Sequence, residues 1–226
     1  MNTLVFGVRG KGKSVLAFHL AEKTGRSIAI YDVSHRFNRW PEFIARDPWD
    51  LEELIKHFPV VVYQPQVSGF KEFGEFSEII WGESNEGCRD VTMLFDEASE
   101  LQTAQSRHDW LHKWVRMAPV DSCDVIQTLH RPADAWATCR ALAHHWFIFE
   151  TWRVEDLEAI EKQCGPEVAL AVTKLRGHQF IHVEPEARKM TAGELQKGSF
   201  TEIDRGESHG SLPNLRSGAA RQVAVQ

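Results

Sequence analysis

The chain has 226 residues, 42% of them apolar, so it is long enough to bury one substantial core with a small appendage. Its 26 basic and 32 acidic residues give a net charge of −6, which excludes a protein that coats nucleic acid through bulk positive charge. The four cysteines have neither metal-type nor disulfide-type spacing, and no apolar run approaches the ~18 residues of a membrane span, so we expect a soluble, intracellular protein.

The first motif follows the first predicted strand, Leu4 to Gly7. The segment from Gly7 to Ser14 matches the phosphate-loop pattern G-x-x-x-x-G-K-[ST] in full. In such a loop, backbone N–H groups turn toward an anion, Lys13 reaches the β- and γ-phosphates, and the Ser14 hydroxyl holds Mg²⁺. The apolar spacing that follows predicts a helix from Lys13 to Lys23. We expect a nucleoside triphosphate to bind at Gly7, Gly10, Lys11, Gly12, Lys13, Ser14 and Val15.

Short apolar runs alternate with amphipathic runs as far as residue 183, which is typical of a parallel sheet with crossover helices. The further predicted strands are Ile28 to Asp32, Val60 to Tyr63, Val91 to Phe95, Val125 to Leu129, Trp146 to Phe149 and Phe180 to Val183. The further predicted helices are Leu51 to Phe58, His108 to Met117, Ala133 to Ala141, Val154 to Gln163 and Glu167 to Lys174. The stretch Val67 to Gly87 is irregular and is expected to form a loop with a short helix. The sequence therefore predicts an α/β fold with a P-loop NTPase core of the RecA/ASCE type, in which helices flank a mainly parallel central sheet.

Polar residues collect after the second predicted strand, namely Asp32, Arg36 and Arg39. They can approach a bound nucleotide or DNA. A loop at a strand end also collects polar residues without any such role.

A second motif of phosphate chemistry ends the predicted strand Val91 to Phe95, where two carboxylates follow, Asp96 and Glu97. At the carboxyl end of a parallel strand, Asp96 would lie beside the phosphate loop and bind Mg²⁺ through water. Glu97 would be free to orient or deprotonate an attacking water. The second carboxylate, and the lack of an N-K-x-D segment for guanine, favour a hydrolytic ATPase over a switch GTPase.

The predicted helix from His108 to Met117 carries several basic groups on or beside it: Arg107, His108, His112, Lys113 and Arg116. Such a row can face a pore and contact DNA phosphates. It is also what the polar face of an ordinary amphipathic helix looks like.

The strand Val125 to Leu129 is followed by His130, Arg131 and Pro132. A polar residue at the end of a strand beside the acidic one can sense the γ-phosphate. At this segment the chain resembles the FtsK–HerA superfamily of ring-forming, DNA-translocating ATPases, whose corresponding strand ends in T-Q-R-P. His130 stands where that family has glutamine, and Gln127 is the alternative sensor.

By order of motifs the resemblance covers Met1 to Val183, and it is strongest to the small genome-packaging ATPases of tailless, internal-membrane bacteriophages, which look like a bare motor domain. It implies an ATP-driven translocase that packages double-stranded DNA into a preformed viral capsid. It also implies a homo-oligomeric ring, expected to be a hexamer, with capsid or portal-vertex proteins as partners and an indirect association with a membrane. The implied location is the host cytoplasm during assembly and the packaging vertex of the virion.

Ring motors of this kind usually complete the active site with an arginine from the neighbouring subunit, which is worth ~10³ to 10⁵ in rate. Its position after the last core strand makes Arg153 the first candidate for that role, with Arg140 and Arg116 as alternatives. A solvated surface charge is the competing interpretation for each of them.

The sequence changes character near residue 184, where glycine, serine, threonine and charged residues replace the apolar pattern. Such a composition is typical of a flexible segment. We therefore predict an ATPase domain over residues 1–183 and a flexible C-terminal extension over residues 184–226.

Three alternatives share some of these motifs. A filamentous-phage assembly ATPase of the zonula-occludens-toxin type has the same motif order but usually carries a membrane span. A small-molecule P-loop phosphotransferase would be a monomer with an acceptor pocket and a mobile lid. A non-catalytic nucleotide-dependent scaffold would not require Glu97. DNA-stimulated ATPase activity separates the motor from the last two.

Overall fold

The structure is a computed structural model that describes residues 1–38, 41–67, 69–82, 90–117, 123–196, 199–203 and 221–224, from residue 196 onward as backbone alone. The strands are β1 Asn2–Phe6, β2 Ser27–Asp32, β3 Ile44–Ala45, β4 Val60–Tyr63, β5 Val91–Asp96, β6 Asp124–Leu129, β7 His145–Phe149, β8 Gln179–Glu184, β9 Lys189–Gln196, β10 Ser199–Ile203 and β11 Arg221–Ala224. The α-helices are α1 Lys13–Lys23, α2 Pro48–His57, α3 Phe70–Gly82, α4 Asp109–Met117, α5 Ala137–Ala141, α6 Val154–Cys164 and α7 Pro166–Val172. None of these helices has the length and apolar character needed to cross a bilayer.

One sheet holds all the described strands, in the order β11-β10-β9-β8-β7-β1-β6-β5-β2-β4-β3. The segment from β7 to β3 is parallel throughout, whereas β8 to β11 continue the sheet in antiparallel fashion. The parallel strands read as continuous apolar runs because helices cover both of their faces. The predicted α/β fold with a mainly parallel sheet is confirmed.

The helices divide unequally between the two faces of the sheet. On one face α1 packs over β1, β5 and β6, and its buried residues join a compact apolar cluster with alternate residues of those strands. The other face carries a larger cluster to which α2, α3, α4, α5, α6 and α7 contribute. Its largest fully buried side chains include Tyr31, Phe73, Phe76, Phe95 and Trp114. Aromatic side chains of this size bury 150–250 Å² each, so they dominate the energetics of this layer.

Helix α3 is longer than the sequence analysis expected for the irregular stretch between residues 67 and 87. Its buried residues are Phe73, Phe76, Ser77 and Ile80, which follow the i, i+3, i+4, i+7 spacing of an amphipathic helix. Gly74 lies within that helix and obscures the pattern, since glycine is unfavourable in a helix interior by about 1 kcal/mol. Packing of the apolar face stabilises the helix in spite of this glycine. Residues 83–89 lie outside the described residues.

The sheet extends beyond residue 183, into the segment that the sequence assigns to the flexible extension. Strand β9 pairs with the whole length of β8, from Gln179 opposite Glu194 to Glu184 opposite Lys189. Gly193 permits this pairing because the ring of Phe180 occupies the space where a Cβ atom would lie. Residues 197–198, 204–220 and 225–226 lie outside the described residues, so the flexibility of that part stays a prediction.

Candidate nucleotide-binding site

The strand order brings the two predicted phosphate motifs to one edge of the sheet. Strand β6 lies between β1, which leads into the phosphate loop, and β5, which ends at Asp96. In this register Phe6 is opposite Leu129 and Phe95 is opposite Gln127. Because parallel strands end at the same edge, the residues that follow β1, β5 and β6 converge there, as ligand-binding residues do in open α/β sheets.

The phosphate loop has the backbone that its glycines allow. Gly10 and Gly12 have φ angles of 84° and 95°, a left-handed conformation that is strained for other residues. Gly12 is the N-cap of α1 and supplies no side chain, so the amides of the first helical turn are available to an anion. This arrangement, a glycine-rich loop leading into a helix N-terminus, is a general solution for binding phosphate.

Asp96 is fully buried, and its carboxylate accepts three hydrogen bonds from hydroxyl groups. Ser14 Oγ and Thr128 Oγ1 each donate to Oδ1 over 2.8 Å, and Ser34 Oγ donates to Oδ2 over 3.0 Å. The three donors belong to three separate segments: the start of α1, the end of β6 and the loop after β2. Asp96 therefore joins the phosphate loop to both neighbouring strand ends.

Glu97 follows directly and is only 8% exposed. Arg36 Nη2 lies 2.7 Å from Oε1, and His130 Nε2 lies 2.7 Å from Oε2. Despite this short distance, Oε2 has no hydrogen-bond partner among the described residues. The backbone of Glu97 is left-handed, with φ 57° and ψ 45°. Its N–H donates to Thr128 Oγ1 over 2.9 Å, which holds this conformation in place.

The backbone strain at Glu97 coincides with the carboxylate that the sequence assigns to water activation. A residue other than glycine in this conformation costs of order 1–3 kcal/mol, and such residues cluster at functional sites. The short 3₁₀ turn Ala98–Glu100 follows at once and carries the chain away from the sheet edge.

Lys13 is 2% exposed, although its side chain carries a charge. Burial lowers the pKa of Lys13, and Arg36 lowers it further, while Glu97 and Asp96 oppose the change. An anionic ligand would favour the charged form of this lysine, so the site is electrostatically prepared for phosphate.

Residues of neighbouring elements contact the phosphate loop. Lys11 Nζ lies 2.8 Å from Glu150 Oε2, just after β7, and hydrogen bonding from Lys11 lowers the pKa of Glu150. His178 Nδ1 lies 3.1 Å from the carbonyl oxygen of Lys11. The side chain of Leu195, in β9, occupies the space in which a Cβ atom on Gly12 would lie. The antiparallel extension of the sheet thus contacts the phosphate loop directly.

A buried network shapes the loop that carries Ser34 and Arg36. Asp32, at the end of β2, is fully buried and accepts hydrogen bonds from the backbone N–H of Phe37 and from Gln64 Nε2, over 2.9 and 2.8 Å. This network folds the loop back over the strand ends, and it explains why Arg36 reaches Glu97. Arg39, which the sequence analysis grouped with them, lies outside the described residues.

The structure places Gln127 on the opposite face of the sheet from α1. Its Oε1 accepts a hydrogen bond from Gln102 Nε2 over 2.8 Å, and its Nε2 lies 3.9 Å from Cys139 Sγ. Thr128 is the residue of β6 that faces Asp96, and sequence analysis did not single it out. The register that places Asp96 next to Thr128, together with strand alternation, is the signal that could have found it.

The candidate arginines differ in their surroundings. Arg153 is exposed and forms no ion pair with the described residues, at the N-cap of α6 and on the same sheet edge as the phosphate loop. Arg140 donates to the carbonyl oxygens of Pro132 and Ala133, which ties it to its own subunit. Arg116 is exposed near the end of α4.

The residues around Asp96 fit a magnesium ion. Mg²⁺ prefers hard oxygen ligands, binds few protein groups and keeps several waters. Ser14 Oγ and Asp96 Oδ1 are oxygen donors that already lie 2.8 Å apart. They stand beside the loop that would hold the phosphates, which is where such a cation is shared between protein and nucleotide in P-loop proteins.

Comparison with known proteins supports the fold. No protein-family model matches the chain, and no curated protein sequence matches it. The genome-packaging NTPase B204 from Sulfolobus turreted icosahedral virus 2, solved with ATP-gammaS, is similar in structure, with a TM-score of 0.71 and 17% identity over 84% of this chain and 95% of that one. The DNA-packaging ATPase B204 from Sulfolobus turreted icosahedral virus is similar too, with a TM-score of 0.70, 17% identity and the same coverage.

A third solved structure is similar over a smaller part of its length. The conjugation coupling protein TcpA of pCW3, in a monomer form with ATPgS, has a TM-score of 0.51 and 16% identity over 80% of this chain and 56% of that one. The P-loop ATPase fold expected from the sequence is therefore confirmed.

Replacing Thr128 by valine tests the link between Asp96 and Glu97. Valine has the same shape but no hydroxyl, so the Glu97 N–H and Asp96 Oδ1 each lose a buried partner. We expect the free energy of unfolding to fall by about 1–3 kcal/mol, measured by denaturant titration. Thr128→Ser keeps the hydroxyl and is expected to retain most of the stability. Equal losses in both variants would contradict this account.

Proposed function

We propose that this protein is an ATP hydrolase that drives double-stranded DNA into a preformed viral capsid. One observation carries the proposal: Ser14 of the phosphate loop bonds to Asp96, while the next residue, Glu97, contacts Arg36 and His130 at the same sheet edge. The fold shared with the packaging NTPase B204 over 95% of its length supports the choice of reaction and cargo.

The binding role falls to the phosphate loop and its lysine. The amides from Gly10 to Val15 surround the phosphates, and Lys13 contributes a buried positive charge. Ser14 and Asp96 would hold Mg²⁺, which supplies neutralisation of the charge that develops on the phosphates.

Glu97 is the residue we assign to orientation and deprotonation of the attacking water. One of its oxygens contacts Arg36 and the other contacts the imidazole of His130. A triphosphate bound next to Lys13 brings negative charge that competes for these two side chains and frees the carboxylate. His130 is thereby the proposed γ-phosphate sensor. Gln127 is not, because its side chain is engaged with Gln102 on the other face of the sheet.

Glu97→Gln is expected to bind ATP with little change and to lose hydrolysis, since the amide cannot accept a proton. Binding would be measured by equilibrium titration with ATP and Mg²⁺, and turnover by phosphate release. Glu100→Gln changes the same charge on an exposed residue three positions later and is expected to retain activity. Normal turnover by Glu97→Gln would overturn the assigned mechanism.

The surroundings of Arg153 support a ring in which this arginine completes the neighbouring site. Arg153 is flanked by two exposed apolar side chains, Trp152 at 67% and Val154 at 65% exposure. Beside the phosphate loop, Val15 is 56% exposed. Exposed apolar residues mark a protein interface when they form a contiguous patch with a polar rim, as we propose for these three. A closed ring of six subunits would bring the Arg153 side of one subunit to the loop side of the next.

Complementation tests whether Arg153 of one subunit acts in the active site of the next. Arg153→Ala and Glu97→Gln are each expected to be inactive, but a mixed ring contains sites with an intact Glu97 next to a subunit with an intact Arg153. In an equal mixture, about half of the sites have an intact Glu97, and about half of these adjoin an intact Arg153. If each subunit donates its arginine to its neighbour, the mixture should recover about a quarter of the wild-type ATPase rate. Arg46→Ala, another exposed arginine, should stay fully active alone. Full activity of Arg153→Ala, or no recovery in verified mixed rings, would remove Arg153 from the mechanism.

The proposed cargo is duplex DNA gripped through its backbone, in the channel of the ring. Capsid or portal-vertex proteins would anchor the ring, in the host cytoplasm during assembly and at the packaging vertex of the virion. Any association with a membrane would pass through such a partner. The net charge of −6 confines the DNA contacts to local basic groups, of which Arg107, Lys113 and Arg116 on or beside α4 are candidates.

DNA-stimulated hydrolysis tests the motor function. The ATPase rate of the full chain should rise on addition of duplex DNA of any sequence, and the stimulation should decline steeply with salt because counterions are released from phosphates on binding. Glu97→Gln serves as the blank. An ATPase rate that ignores DNA but rises with a small phosphate acceptor would favour the phosphotransferase alternative. Nucleotide binding without hydrolysis by the assembled protein would favour a scaffold.

A further inference from the structure

A cluster of metal-ligating side chains lies on the other side of β1 from Asp96, where the parallel core meets the antiparallel extension. It consists of His145 in β7 and of His182 and Glu184 in β8, whose ligand atoms all lie within 4.8 Å of one another. The register places His182 opposite Phe147 and Val183 opposite Trp146. Strand alternation therefore puts all three side chains on the same face of the sheet.

The two imidazoles are already close to metal-binding distance. His145 Nδ1 lies 3.0 Å from His182 Nε2. In a tetrahedral zinc site with Zn–N distances of 2.0–2.1 Å, two such nitrogens are roughly 3.3 Å apart. The two nitrogens form a hydrogen bond to each other, so a bound ion would replace the shared proton and separate them by a few tenths of an ångström. All three residues are partly buried, so the site is reachable from solvent yet shielded from it.

Neighbouring side chains hold His182 in the required orientation. Its ring stacks on Phe147, with the ring centroids 4.2 Å apart and the planes 3° from parallel. Thr191 Oγ1, in β9, lies 3.4 Å from His182 Nδ1. Metal-binding histidines commonly bond through their second nitrogen to such a partner, which fixes the tautomer and leaves the other nitrogen for the ion.

The electrostatics of the cluster also suit a cation. Glu184 supplies a negative charge on the same face. Lys189 Nζ lies 3.7 Å from Glu184 Oε1 and competes with a cation, but its side chain is 56% exposed and long enough to swing into solvent.

We propose that His145, His182 and Glu184 form a binding site for a divalent first-row transition metal of the Zn²⁺ class, which fastens β8 to β7. Two imidazole nitrogens and one carboxylate favour such an ion over Mg²⁺ or Ca²⁺, which select oxygen ligands. Three protein ligands leave a fourth position for water. This site is separate from the magnesium site at Ser14 and Asp96, on a different pair of strands.

The position of the site gives the metal a structural consequence. Strand β8 leads into β9, and the extension that they form places His178 and Leu195 against the phosphate loop. An ion that ties β7 to β8 stabilises this extension with respect to the parallel core. Metal bound to the folded state alone raises the free energy of unfolding by mass action.

Cobalt absorption tests the site in the full-length chain. The probe is Co²⁺, titrated into nucleotide-free protein with excess Mg²⁺ to occupy oxygen sites. Wild-type protein should develop the intense visible bands of low-coordinate cobalt, and Zn²⁺ should displace them. His145→Gln and His182→Gln should each weaken binding by at least about 100-fold, beyond the ten- to hundredfold effect of an outer partner. His57→Gln, on the exposed last turn of α2, is the matched control and should bind normally.

Stability measurements guard against a folding defect. With EDTA present, the site variants should unfold near the wild-type midpoint. With Zn²⁺ in place of EDTA, the midpoint should rise only when the site is intact. Glu184→Gln, at a partly exposed strand end, is a milder variant if a histidine replacement fails to fold. The proposal is wrong if wild-type protein shows no bands at excess Co²⁺, if folded site variants bind as tightly as His57→Gln, or if thiolate charge-transfer bands identify cysteine as the ligand.

Discussion

The buried carboxylate of Asp96 is the constraint on which the arrangement of this sheet edge depends. A carboxylate removed from water is strongly destabilising unless hydrogen bonds satisfy its oxygens. Here these hydrogen bonds are donated by the hydroxyls of Ser14, Thr128 and Ser34, which belong to three different segments of the chain. The phosphate loop, the end of β6 and the loop after β2 must therefore all be in place before the carboxylate is stable. The core and the candidate nucleotide site consequently depend on the same hydrogen bonds for their stability.

Much of this architecture was predictable because its signals are local. The bounds of α1 and β4 coincide with those expected from the sequence, since a phosphate loop leads into one and a run of β-branched residues forms the other. The loop glycines and the acidic pair Asp96 and Glu97 are likewise short-range motifs. The parallel sheet follows from the alternation of apolar and amphipathic runs, because crossover helices join its strands.

The remaining features depend on contacts between segments far apart in the sequence. Strand alternation decides that Thr128, and not Gln127, faces Asp96, but only the register of β5 against β6 reveals it. Arg36 reaches Glu97 because a buried network around Asp32 folds its loop back. Strand β9 has a weak apolar pattern and becomes ordered through pairing with β8. No local pattern carries information of that kind.

The left-handed backbone at Glu97 limits which residues this position can accept, for two unrelated reasons. The contacts with Arg36 and His130 require a carboxylate with a side chain of this length. The turn requires a residue that tolerates a φ of 57°. This conformation favours glycine, asparagine and aspartate and disfavours β-branched residues. Glycine satisfies the turn alone, and aspartate keeps the charge but is one methylene shorter. Glutamate is thus a compromise between backbone geometry and reach, so a substitution at this position costs either stability or the two side-chain contacts.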